Sequence, residues 1–197
     1  MRALDLTAAG RDVMAPVCRG CTWWQSPHPR DAALRPGWER AVEEEAGFFG
    51  RALVDGDDVI GWLQAAPGRL VGRAPALPAG PPSPDAWILL CAYFYDEEYL
   101  AGFQRLLLDL EAALKLRDVP ALEAFALRRG DPTDRFRGYL REANLFNPDV
   151  LEGGGFRTVA RCGDVARYRV DLGTVVAVPR ESRARERVKA PAAAQPV

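Results

Sequence analysis

Tyr93 to Leu107, "YFYDEEYLAGFQRLL", decides how this chain folds. An aromatic, strand-like segment runs straight into a periodic helix, with Asp96, Glu97, Glu98 and Gly102 at the joint. Upstream, "AWILLCAYFY" (Ala86 to Tyr95) is almost wholly apolar or aromatic, the pattern of a central strand covered on both faces. Downstream, Leu100, Phe103, Leu107, Leu110 and Leu114 recur at three-and-four spacing, which predicts an amphipathic helix over Glu97 to Lys115. A strand-to-helix joint is a natural anion site, because unpaired amides and the positive end of the helix dipole meet there. Acids at the same place stabilise the helix start by about 0.3–1 kcal/mol each and repel an incoming phosphate. The segment therefore reads either as a cofactor site or as a well-capped helix.

Working outward, "RALVD" and "VIGWLQAAP" flank the turn signal "GDD" and predict a hairpin over Arg51 to Pro67. Gly68 to Asp85 is rich in Pro and Gly and predicts a long loop, a length often tied to function. Trp38, Val42, Ala46 and Phe49 predict an earlier helix, with Glu39 and Glu43 to Glu45 on its wet face. The apolar, aromatic "VCRGCTWWQ" (Val17 to Gln25) reads as a first strand after a flexible lead-in over residues 1–16. Past Pro120, "ALEAFAL" reads as a strand and Asp131-Pro132 as the start of a short helix carrying Phe136, Tyr139, Leu140 and Ala143. "GGGF" (Gly153 to Phe156) is a sharp break, and "FRTVARC" and "ARYRVDL" are two last strands. Residues 17–172 form the predicted domain, and 173–197, charged and then Ala/Pro-rich, the predicted disordered tail. The order β, α, β, β, long loop, β, α, β, α, β, β predicts an α/β fold, a mixed sheet with helices on both faces.

With 48% apolar residues, the 197-residue chain buries a real core. Its 26 basic residues nearly balance 27 acidic ones, which lends no support to a nucleic-acid-binding surface. No apolar run is long enough to span a bilayer, so no membrane partner is expected. The first residues show no continuous apolar stretch of a secretory signal, and a cytoplasmic location is the default expectation. Cys18, Cys21, Cys91 and Cys162 are then expected as thiols.

The order of elements, with its strand–helix joint after the fourth strand, resembles the GNAT superfamily of acyl-CoA-dependent N-acyltransferases. The likeness spans roughly Cys18 to Leu172. "CRGCTWWQ", "RALVDGDDVIGWLQAAP" and "GFRTVARCGDVARYRVDL" are similar to segments of an actinobacterial-type subgroup that begins with a C-R-x-C-x-F-W-like run. The resemblance implies a mostly antiparallel sheet and transfer of an acyl group from acetyl-CoA, or another acyl-CoA, to a small-molecule or peptide amine. It also implies that the pantetheine arm pairs with the splayed fourth strand and that amides at the start of the next helix hold the pyrophosphate. On this sequence the implied cofactor contacts are Phe94, Tyr95, Gly102, Phe103, Gln104 and Arg105. Of the Q/R-x-x-G-x-G/A motif, the first position falls on Tyr99 and the last on Gln104, so only Gly102 matches. The general-acid Tyr implied by the family falls on Leu151, which leaves Tyr139 as the catalytic candidate. The alternative is a GNAT fold without CoA binding, serving as a binding or regulatory module, or one hosting other chemistry in the same cleft. A homodimer is compatible with either.

Cys18-x-x-Cys21 with His28 lacks the second pair of ligands that a closed zinc site needs, so no metal is expected. His28, the one histidine, sits between two prolines and reads as an exposed loop residue. Trp23, Trp24, Trp62 and Trp87 read as core aromatics, with an aromatic pocket as the alternative. Glu43 to Glu45 would border an acceptor site in this fold and attract an amine, and the Gly68 to Asp85 loop is a candidate lid.

Overall fold

Strand β4 (Ala86–Phe94) is the seam of the molecule, a computed structural model that describes residues 1–27, 33–95, 99–128 and 144–174. Along one edge β4 pairs antiparallel with β3 (Asp58–Pro67), from Pro67↔Trp87 to Gly61↔Phe94. Along the other it pairs parallel with β5 (Ala121–Leu127), but only from Ala86↔Ala121 to Leu89↔Ala124. At Leu90 the β3 register skips one residue, Gln64 facing Cys91 and Ala65 facing Leu89. A bulge of this kind bends the strand that carries the extra residue. Beyond it β4 stays with β3 and parts from β5.

The remaining strands complete one seven-stranded sheet in the order β1-β2-β3-β4-β5-β7-β6. They are β1 (Arg2–Leu6), β2 (Gly50–Asp55), β6 (Arg157–Cys162) and β7 (Val165–Asp171), all joined by antiparallel pairs. The predicted hairpin is β2–β3, and the two predicted last strands are β6 and β7. The α/β class and the mixed, mostly antiparallel sheet agree with the sequence reading.

The first strand lies elsewhere than expected. Residues 1–16 are not a free lead-in: Arg2–Leu6 is an edge strand with Leu6 only 1% exposed. Its charges disguise it in sequence, yet Asp5 and Arg51 are register partners and form an ion pair across the ladder. Val17 to Gln25 is not a strand. Pro16 opens a short helix, α1 (Pro16–Arg19), Gly20 ends it, and the chain turns through Trp23–Gln25. The aromatics there pack rather than pair: Trp24 lies edge-on to Trp23 at 4.8 Å and against Phe125 at 6.2 Å.

Helix α2 (Leu34–Ala46) lies with α1 on one side of the sheet, and α3 (Tyr99–Lys115) on the other. Glu39 is a second correction, because it is fully buried with Arg35 instead of facing water. On α3 the buried face is Phe103, Leu106, Leu107, Leu110 and Leu114; Leu100 stays 46% exposed. A fourth helix, α4 (Pro148–Gly153), has no counterpart in the sequence reading. Asn147 caps it, its side chain accepting from the Asp149 amide at 2.9 Å, and Pro148 takes the first turn. The predicted helix from Asp131 and the tail beyond Thr174 lie outside the described residues. No helix among those residues is long and apolar enough to cross a membrane.

The long Gly68–Asp85 loop is fastened to the sheet. Glu123, fully buried in β5, accepts from the Ser83 amide at 3.1 Å and the Ser83 hydroxyl at 2.5 Å, and pairs with Arg167 at 2.6 Å. Arg169 holds Asp85 with two bonds of 3.1 and 2.9 Å. Arg73 reaches the carbonyls of Ser26 and Pro27 at 3.0 and 2.7 Å. A loop tied at both ends in this way is a structural strap, not a free lid.

Candidate functional site

The parting of β4 and β5 leaves a wedge, and three groups of residues border it. On the β5 side Phe146 makes one bridge: its amide donates to Phe125 O and its carbonyl accepts from Leu127 N, both at 2.9 Å. Alternate strand residues bond to opposite neighbours. Pro120 and Arg128 bond toward β7 and its turn, so Phe125 and Leu127 point to the edge that β4 has left. Phe146 therefore occupies the β5 edge of the wedge, and the ladder between β4 and β5 ends at Leu89↔Ala124.

On the α3 side, Phe94 is clasped between two glycines. A Cβ on Gly61 would collide with the Phe94 ring, and one on Gly102 would lie 3.3 Å from Phe94 Cε1 and 3.5 Å from Leu53 Cδ2. Phe103 is fully buried, at 6.3 Å from Phe94 and 6.1 Å from Phe146 between ring centroids. Of the cofactor contacts expected from sequence, Phe94, Gly102 and Phe103 are thus brought together, as packing partners. Gln104 and Arg105 are exposed, and Arg105 donates to the Met1 carbonyl at 2.9 Å. Tyr95 is 57% exposed, its amide bonded to Ile60 O at 3.0 Å. Asp96, Glu97, Glu98, His28 and Tyr139 lie outside the described residues, and nothing is described of the Tyr99 side chain. Leu151, on which the sequence resemblance places the general-acid position, is fully buried.

On the α1–α2 side, β4 presents Cys91 and Tyr93, and β3 presents their register partners Gln64 and Trp62. Tyr93 stacks on Trp62 at 4.5 Å with an 8° tilt, and Tyr95 meets both rings edge-on. Above them lies a cavity of about 260 Å³. Its lining joins α1 (Val17, Cys18), the following turn (Trp24), α2 (Arg35), the last residues of β4 (Cys91, Tyr93) and Asn144, two residues before Phe146. No sequence motif marks this cavity, because its walls come from stretches far apart in the chain. Cys18 and Cys91 face it together, a meeting that only the fold creates.

One charged network underlies the cavity. Arg35 donates to Glu39 Oε1 at 2.7 Å, to Gln64 Oε1 at 2.7 Å and to the Cys21 carbonyl at 3.1 Å. Arg11 approaches Glu39 Oε2 at 3.4 Å. Arg35 also lies over the Trp38 ring at 4.9 Å, within cation–π range. Burial pushes the Cys18 thiol up to about 11, with Cys21 adding to the rise, and burial pushes Cys91 further up. Both are thereby held as neutral thiols, unlike the depressed thiols of nucleophilic or redox cysteines. All four cysteines are free. Among the described residues, no group of three or more His, Cys, Asp or Glu is placed to hold a metal ion. Glu43 and Glu45 do not face the cavity lining: Glu43 accepts from the Ala8 amide at 2.8 Å and Glu45 pairs with Arg69.

No protein-family model and no curated protein sequence matches this chain. Solved structures do. An N-acetyltransferase from Staphylococcus aureus Mu50 superposes with a TM-score of 0.51 at 12% identity, covering 87% of this chain and 98% of its own. Ribosomal-protein-alanine N-acetyltransferase from Brucella melitensis gives 0.51 at 14% identity, covering 87% and 99%. The ribosomal-protein-S18-alanine N-acetyltransferase from Escherichia coli gives 0.50 at 10% identity, covering 87% and 93%. The chain has the GNAT acyl-CoA N-acyltransferase fold.

Proposed function

We propose that the chain transfers an acyl group from acetyl-CoA, or another acyl-CoA, to an amine by direct attack in a ternary complex. The observation that carries this reading is the parting of β4 from β5 past Leu89, with a cavity built against Cys91 and Tyr93 of β4. A wedge between parted strands admits an extended amide chain, which can add like another strand. The pantetheine arm of CoA is such a chain. It would lie along β4 and face Phe146 on the β5 side. The pyrophosphate would meet the amides at the start of α3.

The amine nitrogen attacks the thioester carbonyl. The N–C bond forms as the C–S bond breaks, and the sulfur leaves as a thiol with the proton the amine gives up. Most of the rate comes from holding the two reactants in register and polarising the carbonyl with a backbone amide. Leu151 cannot supply a proton. Tyr93 provides the hydroxyl among the described lining residues, and we assign it to relay that proton, giving its own to the leaving sulfur as its oxygen takes the one the amine gives up. The free cysteines accord with a reducing, cytoplasmic compartment.

Calorimetry and thermal shift with acetyl-CoA, desulfo-CoA and free pantetheine test the reading. Saturable binding of all three, weakest for pantetheine, is expected. A null result at millimolar acetyl-CoA overturns it and leaves a GNAT-fold binding module in its place.

A further inference from the structure

The character of the cavity's occupant follows from its lining. Among the described lining residues Arg35 carries the one formal charge, and Glu39 lies 2.7 Å from it. Its remaining partners are the Cys21 carbonyl and Gln64, so the cation is spent inside the protein. The thiols of Cys18 and Cys91 are uncharged, and Val17, Trp24 and Tyr93 present apolar surface. Glu43 and Glu45 are engaged elsewhere. An ion entering here would lose its hydration, and the described lining residues offer no free counter-charge to replace it. The volume, about 260 Å³, holds roughly eight or nine waters at about 30 Å³ each, far more than an acetyl methyl fills. Pockets of this kind, mostly apolar with a few fixed polar groups, select small uncharged moieties.

We propose that the cavity receives an uncharged apolar group, a hydrocarbon or aromatic moiety carried on the acyl chain of the thioester or on the amine. The chemistry of the occupant rests on the acyltransfer reading; its binding does not.

Calorimetric titration with hexanamide, a neutral probe free of CoA, against hexanoate and putrescine tests the cavity alone. Hexanamide is expected to bind at least tenfold more tightly than either ion. Cys91→Phe, which fills the cavity, should abolish that binding. Cys18→Leu, on the opposite wall, serves if the first variant melts early, and thermal melts report on both. Acetyl-CoA against hexanoyl-CoA, and hexylamine against putrescine as acceptors, then identify the source. A tenfold preference for hexanoyl-CoA that the filled variants lose places the group on the acyl chain. A preference confined to hexylamine places it on the amine. Hexanamide binding without any CoA ester binding at millimolar concentration keeps the cavity assignment and removes the acyltransfer reading. Absence of hexanamide binding, equal binding of hexanoate or putrescine, or binding unchanged in both filled variants overturns the proposal.

Discussion

The ring of Phe94 and the backbone of Gly102 are packed so closely that a Cβ on Gly102 would sit 3.3 Å from Phe94 Cε1. The glycine thus has a structural task, letting α3 settle onto the end of β4, whether or not a phosphate also approaches it. In an open helix interior, Gly→Ala gains about 0.5–1 kcal/mol. Here Gly102→Ala is expected to gain nothing or to lose up to about 1 kcal/mol by urea denaturation, since the tight contact cancels the propensity. In a Phe94→Ala background the same substitution should recover its gain. Additivity of the two changes would show that the contact has no energetic weight.

Glu39 is buried against Arg35, and breaking such a pair strands the other charge. Glu39→Ala should cost about 3–5 kcal/mol, whereas Arg35→Met with Glu39→Leu should cost far less than the two single changes combined. Chemical denaturation of the three variants checks this. A mild effect for Glu39→Ala alone would mean that the pair is hydrated.

Glu111 is 2% exposed, its Oε1 has no hydrogen-bond partner, and burial pushes its carboxyl up to about 7 from an ordinary value of 4.5. The folded state therefore favours the protonated form. Stability from this group is full below about pH 4.5 and is lost as the pH rises through about 7, a change on the order of 3 kcal/mol. Glu111→Gln should be more stable than the native chain at pH 8 and nearly equal at pH 4.5. Melting curves across that range read the difference, and identical pH profiles would contradict it.

Ser83 and Glu123 tie the Gly68–Asp85 strap to β5. Ser83→Ala removes one hydrogen bond to a buried carboxylate and should cost about 1.5–3 kcal/mol. Limited proteolysis should then cut within the strap at lower protease concentration. Cleavage unchanged from the native chain would show that Arg169 and Asp85 suffice to hold it.

The legible parts of this fold are those in which one stretch of sequence carries the whole signal. The apolar run of β4, the leucine spacing of α3 and the turn between β2 and β3 are of that kind. The misread parts depend on partners far along the chain. β1 looks polar until Asp5 meets Arg51, and Glu39 looks solvated until Arg35 and Arg11 close over it. Val17 to Gln25 looks like a strand because its tryptophans are apolar, although Pro16 and Gly20 already bracket a helical turn. Asn147-Pro148-Asp149 was the available signal for α4, a cap followed by a first-turn proline. The cavity left no trace at all, since Cys18 and Cys91 become neighbours only once α1 lies across β4.

Hydrogen–deuterium exchange of the peptide spanning Leu90 to Phe94, with and without saturating acetyl-CoA, tests the central claim most directly. A pantetheine arm held in the wedge against β4 predicts slower exchange there in the complex, with little change in Ala86 to Leu89, which β5 already pairs. Unchanged exchange across Leu90 to Phe94 at saturation would contradict the account.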